Sequence, residues 1–224
     1  MAYFACFKVI LLSLPKNIKI EDKMNNTIIV VDIETTGFLN KGGLIVEIGI
    51  VKLNLATGEI TPAYNSLIRE DSFGPHHTVG AFGWIFNNSD LTYEEVEEAP
   101  SLESQREVIQ ELFDQYYATA FNKSFDFDFL GDRGFSIKEL PCPMKVATPI
   151  CKLPSQYGYS SYKWPTVEEA WEYFFGKRTG YVEAHRGYDD AEHEAQIVYK
   201  LYELGHFEVP FNVEKDGNIQ LSMF

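Results

Sequence analysis

The stretch that decides the fold is Thr27-Ile28-Ile29-Val30-Val31-Asp32-Ile33-Glu34-Thr35-Thr36-Gly37, residues 27–37. Residues 27–33 are mostly β-branched, which is typical of a strand buried on both faces. Alternate residues of a strand point to the same face, so Asp32 and Glu34 project side by side where the strand ends. Two such carboxylates repel each other and lose hydration, and a divalent cation relieves both penalties because Mg²⁺ and Mn²⁺ prefer oxygen ligands. The pair alone is also compatible with a solvated strand end that carries two unrelated acids.

Beyond this strand, the chain predicts further strands and then helices that alternate with strands. Residues 44–54 and 59–69 are expected to form a hairpin. The later predicted elements are a helix capped by Ser101, a strand over 118–121, a helix over 125–131, a helix from Thr166 to Phe175 that ends at Gly176, and a helix over 189–204 closed by Gly205. Residues 70–92 and 141–165 predict irregular structure and a long loop, respectively. This order favours an α/β fold with a mixed β-sheet flanked by α-helices.

The composition excludes several classes of protein. The chain has 224 residues, 45% of them hydrophobic, as expected of one globular domain with at most a small extension. The formal net charge of -14 excludes a generally basic coat for nucleic acid, but it allows a local site whose positive charge comes from metal ions. Cys6, Cys142 and Cys151 form no CxxC pair, so we expect neither a disulfide framework nor a zinc knuckle, and we place the protein in a reducing cytoplasm.

Both chain ends are expected to lie outside the domain. Residues 1–15 are apolar but are interrupted by Lys8, fall short of the ~20 residues of a membrane span, and lack the basic start and cleavage site of a signal peptide. Met24 stands just before the first strand, so the preceding segment is either an appended piece or an upstream start that the functional protein does not use. The predicted parts are an N-terminal extension over 1–23, the domain over 24–208 and a C-terminal tail over 209–224. No membrane attachment is expected.

Two further groups of candidate residues stand at a strand end or a helix start. Asp126 follows a short strand and lies at the start of a helix, where the helix dipole favours an anion. His185 precedes the last helix and Asp190 lies in its first turn, and a histidine with an ordinary pKa of about 6.5 suits a general base near neutral pH. Each group alone is commonplace. Together with the first pair, in this order, they indicate a single site.

These three groups match the motifs of a known family. VVDIETTGF (30–38) resembles the first motif, with the core DxExTG, of the DnaQ-like 3′–5′ exonucleases of the DEDD superfamily. FNKSFD (121–126) is similar to their HNxxFD, with Phe121 where His is usual, and HRGYDDA (185–191) matches the Hx4D pattern of the DEDDh branch. The resemblance covers about residues 27–204 and implies a ribonuclease H-like fold. Where the family often has HGIT, this chain has Ser89-Asp90-Leu91-Thr92, so contacts from that loop to the nucleotide need not carry over.

Carried over residue by residue, the resemblance implies a metal-dependent exonuclease. The catalytic residues would be Asp32, Glu34, Asp126, His185 and Asp190. The four carboxylates would hold two divalent metal ions, Mg²⁺ or Mn²⁺, about 3.5–4 Å apart, with Asp32 bridging them and Asp126 acting partly through water. His185 would take a proton from the attacking water, and the terminal nucleotide would leave as a nucleoside 5′-monophosphate. The residues beside that nucleotide would be Thr35, Thr36, Gly37, Phe38 and Asn122.

Two of these nucleotide contacts have a specific expected role. Thr35 would hydrogen bond the sugar 3′-OH. Phe38 would either stack on the last base or pack in the core. The residues of 133–163 add five basic side chains against one glutamate, interleaved with tyrosines, which suits a single strand and is equally typical of a solvated loop.

The sequence therefore predicts a 3′–5′ exonuclease that acts on the 3′ ends of single-stranded DNA or RNA, with DNA favoured. The alternatives are a 3′-end-trimming exoribonuclease and a non-catalytic nucleic-acid-binding protein of the same fold. A polymerase or another replication or repair protein is a candidate partner, and the oligomeric state stays open. His193-Glu194 begins like the zinc motif HExxH, but position 197 is Ile, so we set this motif aside. Asp128 and Asp189 are treated as spectators or supporting residues.

Overall fold

The computed structural model describes residues 26–155 and 161–214, which build one five-stranded sheet. The strands are β1 (Thr27–Thr35), β2 (Ile45–Asn54), β3 (Ile60–Leu67), β4 (Tyr117–Thr119) and β5 (Lys138–Glu139). Their order in the sheet is β3-β2-β1-β4-β5. β1, β2 and β3 pair antiparallel, whereas β4 runs parallel to β1 and β5 runs parallel to β4. The predicted mixed sheet is confirmed.

β1 lies at the centre of the sheet and is buried on both faces, as its β-branched residues predict. Ile28 and Val30 point to one face and belong to one core, whereas Ile29 points to the other face and a second core. Asp32 and Glu34 continue the register of Ile28 and Val30. The two carboxylates therefore emerge on the first of these faces, where the hydrophobic run stops.

Helices cover both faces of the sheet. In the described residues they are α1 (Trp84–Asn88), α2 (Tyr93–Glu97), α3 (Leu102–Gln115), α4 (Lys123–Asp132), α5 (Pro143–Cys151), α6 (Val167–Phe175) and α7 (Gly187–Glu203). α3 and α4 pack on the face of Ile29 through Phe113 and Phe129. α5, α6 and α7 cover the face of Ile28. The predicted flanking of the sheet by helices is thus confirmed.

The predicted long loop over 141–165 is wrong, because Pro143–Cys151 form α5. Pro143 lies in the first turn, where a missing N–H costs no hydrogen bond and the fixed φ suits the helix. Pro149 lies near the last turn, where its missing N–H removes one hydrogen bond close to the helix end. The buried residues of α5, at 143, 144, 147 and 151, follow helical spacing and bury its apolar side.

The stretch 70–92 is only partly irregular, because it contains α1 and two 3₁₀ turns, Pro75–Thr78 and Gly80–Phe82. Several predicted boundaries also move by about two residues. β4 ends at Thr119, which pairs with Val30 of β1, and its other neighbour β5 is a two-residue strand that the sequence does not predict. α4 and α7 begin earlier than predicted, at Lys123 and Gly187.

The predicted helix caps are confirmed. Thr166 Oγ1 accepts the N–H of Glu169 at 3.2 Å, and Glu169 Oε2 accepts the N–H of Thr166 at 2.9 Å, which completes a capping box. Ser101 Oγ accepts the N–H of Ser104 at 3.3 Å. These bonds satisfy backbone donors that the first helical turn leaves free, so short local patterns suffice to place these two helix starts.

The start of α7 rests directly on β2. A Cβ at Gly187 would lie 2.9 Å from the Gly49 backbone nitrogen and 3.2 Å from the Asp32 carbonyl oxygen, and a Cβ at Gly49 would overlap the Gly187 backbone. Only glycine at both positions allows this close approach. The contact brings the last motif against the end of β1.

The two ends of the described domain meet. Asn26 Nδ2 donates to the Glu214 carbonyl at 2.8 Å, and the Glu214 N–H donates to Asn26 Oδ1 at 2.9 Å. Val209 and Phe211, from the predicted tail, pack on the core that α7 covers. The predicted extension over 1–23 lies outside the described residues. Within the described ranges, no helix is both long and apolar enough to cross a membrane.

Candidate active site

A cleft of about 950 Å³ opens where β1 ends. Five acidic side chains and one histidine line it, together with aromatic side chains from several segments. The acidic and histidine residues are Asp32, Glu34, Asp126, Glu183, Glu194 and His185, and the aromatic residues are Phe38, Phe82, Trp84, Phe121 and Phe125. Lys41 is the lysine among the lining residues. The cleft thus combines an anionic centre with apolar walls, and its volume suits a small ligand.

Asp32 and Glu34 emerge side by side from β1 into this cleft. Oδ2 of Asp32 is buried and has no hydrogen-bond partner among the described residues. Burial raises the pKa of Asp32 well above its ordinary value, and the charges of Glu194, Glu34 and Asp126 raise it further. Burial, followed by repulsion from Asp190, raises the pKa of Glu34 to about 9. Without a proton or a cation, these carboxylates destabilise the folded state.

α4 holds Asp126 against the end of β1. The N–H of Ile33, which lies between the two carboxylates of the first motif, donates to Asp126 Oδ1 at 3.2 Å. Asp126 is buried, and this burial raises its pKa to about 8. The structure therefore brings the first and second motifs into direct contact.

Asp190 holds the backbone on both sides of His185. Its Oδ1 accepts the N–H of Ala184 at 3.2 Å, and its Oδ2 accepts the N–H of Arg186 at 2.9 Å. The Tyr181 hydroxyl also donates to Oδ1, at 3.4 Å. His185 adopts a left-handed conformation with φ of 54°, which is strained for a residue with a side chain and needs such support.

The first and third motifs also meet. One ligand atom each from Glu34, His185 and Asp190 lies within 4.8 Å of the others. Burial raises the pKa of Asp190. Across 26–155 and 161–214, no lysine or arginine forms an ion pair with Asp32, Glu34, Asp126 or Asp190. Buried carboxylates without basic partners, one of them with an unpartnered oxygen, fit the oxygen ligation that Mg²⁺ and Mn²⁺ prefer.

Four of the five predicted nucleotide contacts line the cleft: Thr35, Gly37, Phe38 and Asn122. Thr35 Oγ1 donates to the Gly37 carbonyl at 3.0 Å, which leaves its lone pairs to accept another hydrogen bond. Phe38 is 69% exposed and meets Phe125 edge-on, so it does not pack in the core. Its ring is available to a ligand.

Thr36 does not line the cleft, in contrast to the expectation from the first motif. It is fully buried, and its Oγ1 accepts the N–H of Leu44 at 3.0 Å. The Thr36 N–H also donates to the Leu44 carbonyl at 2.9 Å. Thr36 therefore hydrogen bonds the end of β1 to Leu44, the residue before β2. Its side chain does not reach the cleft.

Several residues that line the cleft are not predicted as site residues from the sequence, and among them are Glu194, Glu183 and Trp84. Glu194 is 3% exposed, and its Oε2 accepts the N–H of Phe121 at 3.0 Å. Burial and the charge of Asp190 raise the pKa of Glu183 to about 7. Trp84 opens α1 and lines the cleft. Only Glu194 has a local signal, because it lies four residues after Asp190 and so on the same face of α7.

Arg186 links the third motif to the segment that replaces HGIT. Its Nε and Nη2 donate to the two carboxylate oxygens of Glu47 at 2.9 and 3.2 Å, and its Nη1 donates to Asp90 Oδ1 at 2.6 Å. Glu47, on β2, is 2% exposed. The departure from the family pattern at Ser89–Thr92 thus contains a residue that pairs with the neighbour of His185.

Some of the basic side chains of residues 133–163 form ion pairs within the fold. Arg133 pairs with Glu70 at 3.1 Å and donates to the Gly43 carbonyl at 3.0 Å. Lys163 also forms an ion pair. Part of this positive charge therefore serves the fold. Tyr157 and Tyr159, two of the interleaved tyrosines of this stretch, lie outside the described residues.

Comparisons with known proteins agree with this geometry. The sequence model of RNase_T, described as an exonuclease, matches residues 29–198. DNA polymerase III PolC-type of Clostridium perfringens (strain 13 / Type A) is 26% identical over 184 residues, which cover 80% of this chain and 11% of that protein. The chain therefore spans only a small part of this relative.

Solved structures share the fold. The nuclease domain of 3′hExo, a DEDDh family member bound to rAMP, aligns with a TM-score of 0.61 and 18% identity over 84% of this chain and 96% of that one. A full-length 3′-exonuclease aligns with a TM-score of 0.58 and 16% identity over 81% of this chain and 62% of that one. Exonuclease I of E. coli, in complex with a dA16 oligonucleotide, aligns with a TM-score of 0.55 and 12% identity over 80% of this chain and 41% of that one.

Proposed function

The chain belongs to the RNase_T exonuclease family, as a DnaQ-like 3′–5′ exonuclease, and from this premise we propose that it shortens single-stranded nucleic acid from the 3′ end and releases nucleoside 5′-monophosphates. The observation that carries the proposal is the unpartnered, buried Oδ2 of Asp32 among other carboxylates. Such an arrangement is costly unless a cation occupies it. A phosphodiester, itself an anion, approaches these side chains only when cations offset their charge.

Enzymes of this family depend on divalent metal. In this chain Asp32, Glu34, Asp126 and Asp190 would hold two such ions, Mg²⁺ or Mn²⁺. When bound, the ions would lower the pKa of water and stabilise negative charge on the phosphate. Asp190 has a second task, because the same carboxylate accepts hydrogen bonds from the backbone on both sides of His185.

His185 is proposed as the general base. Its imidazole takes a proton from the attacking water, whose oxygen then bonds to the phosphorus of the terminal nucleotide. The bond that breaks joins this phosphorus to the 3′-oxygen of the preceding nucleotide, which takes up a proton as it leaves. His185 offers a ring nitrogen within 4.8 Å of a carboxylate oxygen of Glu34 and of Asp190, so the base lies beside the proposed metal ligands.

The apolar walls of the cleft suit the base and sugar of the terminal nucleotide. Phe38 is exposed at the cleft and Phe125 braces it edge-on, with ring centroids 6.4 Å apart. Aromatic faces bind any base, at about 1–3 kcal/mol per stacked base. Gly37 lets the backbone approach the nucleotide, and Thr35 Oγ1 accepts from the sugar 3′-OH.

DNA is the favoured substrate under this proposal, because the curated relative is named as a DNA polymerase. RNA is the second candidate. One structural neighbour is described as a 3′-exonuclease that recognises a histone mRNA stem-loop. We also propose that the domain of residues 24–208 carries the activity in the cytoplasm, and that a polymerase or another replication or repair protein is a partner.

The decisive experiment incubates the protein with matched 5′-labelled single-stranded DNA and RNA, in Mg²⁺, in Mn²⁺ and in EDTA. We expect a ladder that shortens from the 3′ end only with metal, faster on DNA. Asp126→Asn and His185→Ala should each lose activity by about 10²-fold or more. Asp128→Asn is the matched control, because Asp128 is exposed two residues from Asp126. Metal-independent cleavage, or full activity in the Asp126 variant, would overturn the assignment.

A further inference from the structure

Glu194 lines the same cleft as three of the four predicted metal ligands, namely Asp32, Glu34 and Asp126. It lies on α7 one turn after Asp190, and residues four apart share a helix face. It is buried and lines the cleft with Asp32 and Asp126. Its position is therefore that of a fifth carboxylate, beyond the acidic residues that the family motifs supply.

One oxygen of Glu194 is used by the fold. Oε2 accepts the N–H of Phe121 at 3.0 Å, across 73 residues of sequence. Phe121 is the first residue of the second motif, where the family usually has histidine. This bond ties the turn before α4, and hence the helix that carries Asp126, to the helix that carries Asp190. It leaves Oε1 for another partner.

Among the described residues, no positive side chain balances Glu194. In 26–155 and 161–214, no lysine, arginine or histidine forms an ion pair with it. Its electrostatic neighbours include Asp126 and Asp190, and its charge in turn acts on Asp32. A buried anion among other anions needs a cation, and the cleft is where cations are proposed to bind.

We propose that Glu194 is a fifth carboxylate of the cation site, which increases the affinity for divalent cations through its charge. The inference rests on the proposed function. It differs from a purely structural role, in which only the hydrogen bond to Phe121 would matter.

Two substitutions separate the charge from the hydrogen bond. Glu194→Gln has the same shape and keeps an oxygen that accepts from Phe121, but it carries no charge. Glu194→Ala removes both. Glu192→Gln is the matched control, because it removes one carboxylate from the same helix at a position that does not line the cleft.

The readout is Mn²⁺ binding, followed by calorimetric titration and by the rise of Tm with metal. For Glu194→Gln we expect a Tm in EDTA no lower than that of the wild type, since a buried like charge has been removed, and a Kd for Mn²⁺ that is about 10-fold higher or more. Glu194→Ala should show the same loss of affinity and a lower Tm. Glu192→Gln should bind Mn²⁺ as the wild type does.

Two results would overturn the inference while leaving the exonuclease assignment in place. One is wild-type Mn²⁺ affinity in Glu194→Gln when the wild type binds metal and degrades DNA. The other is a defect confined to Glu194→Ala, which would assign Glu194 to the fold alone. Failure of the wild type itself to bind Mn²⁺ and to degrade either nucleic acid would instead overturn the proposed function, and this inference with it.

Discussion

The indole of Trp84 meets the imidazole of His185 edge-on, with ring centroids 4.8 Å apart and planes inclined at 72°. Trp84 belongs to α1, in a segment that differs from the family pattern, whereas His185 belongs to a family motif. About half of the indole is exposed. The proposed general base is thus covered by a side chain that the motifs do not specify, and aromatic contacts of this kind restrict the orientation of the histidine ring.

Replacing Trp84 by alanine should lower kcat/KM about 3- to 10-fold, because an aromatic pair of this geometry contributes about 0.5–1.5 kcal/mol. The loss should appear mainly in kcat, since the contact orients His185. Steady-state kinetics on a labelled oligonucleotide measures it. Tyr173→Ala, another half-exposed aromatic, on α6, is the control and should leave the kinetics unchanged. Unaltered kcat in the Trp84 variant would contradict the positioning role.

Arg186→Gln and Asp90→Ala should differ sharply in stability. Without Arg186, the carboxylate of Glu47 stays buried with no cation, and we expect a loss of about 2–3 kcal/mol in the free energy of unfolding, less than for a fully buried pair because Arg186 is partly exposed. Asp90 is exposed, so its removal should leave the midpoint of urea denaturation almost unchanged. Similar midpoints for both variants would show that the Glu47 pair does not stabilise the fold.

In the absence of metal, the stability of the protein should fall as pH rises from about 5 to about 9. The folded state raises the pKa of Glu34 to about 9 and that of Asp126 to about 8, both chiefly through burial. Between the ordinary and the raised values, the folded state holds protons that the unfolded state has released, so the free energy of unfolding falls with rising pH.

Each proton of difference corresponds to about 1.4 kcal/mol per pH unit, or about 3–5 °C in Tm for a chain of this size. Calorimetry in EDTA across this range measures the decline. Saturating Mg²⁺ should flatten it, because cations replace the protons. A Tm in EDTA that does not depend on pH would argue against a buried acidic cluster.

Gly49→Ala should impair both stability and catalysis. The added methyl group overlaps the Gly187 backbone and forces α7 away from β2. We expect a loss of about 1–3 kcal/mol in stability. Because His185 and Asp190 would move relative to Asp32, activity should fall about 100-fold. Gly131→Ala, where the new Cβ would have no described atom from outside the backbone of its own helix within 4 Å, should retain full activity. An active Gly49 variant would show that this contact does not set the site.

The sequence predicts those parts of the molecule that depend on local pattern. The β-branched run of β1 and the cap at Thr166 both follow from neighbouring residues, and both are confirmed. Helix α5 is missed because its two prolines outweigh its apolar spacing in the sequence. The helix nevertheless accommodates both, since Pro143 lies in the first turn and Pro149 lies near the last turn.

In the candidate site, too, the sequence predicts only those residues that a local pattern marks. The carboxylates of the motifs are recognisable because each stands at a strand end or a helix start, whereas Glu194 is an ordinary helix residue until α7 packs against Phe121. The reverse holds for Thr36, which belongs to the motif but turns its hydroxyl to Leu44. Which face of α7 meets the cleft is decided by the glycine contact with β2, and no local pattern encodes that contact.

The reciprocal hydrogen bonds between Asn26 and Glu214 give the described domain a common point of entry and exit. A domain whose two ends lie side by side is connected to neighbouring segments at one place. Such a domain is readily inserted into another chain or circularly permuted by joining its ends. Segments attached on either side would leave from the same place. The orientation of the cleft relative to any covalently attached protein would then depend on the flexibility of the chain at this one place, not on two separate attachment points.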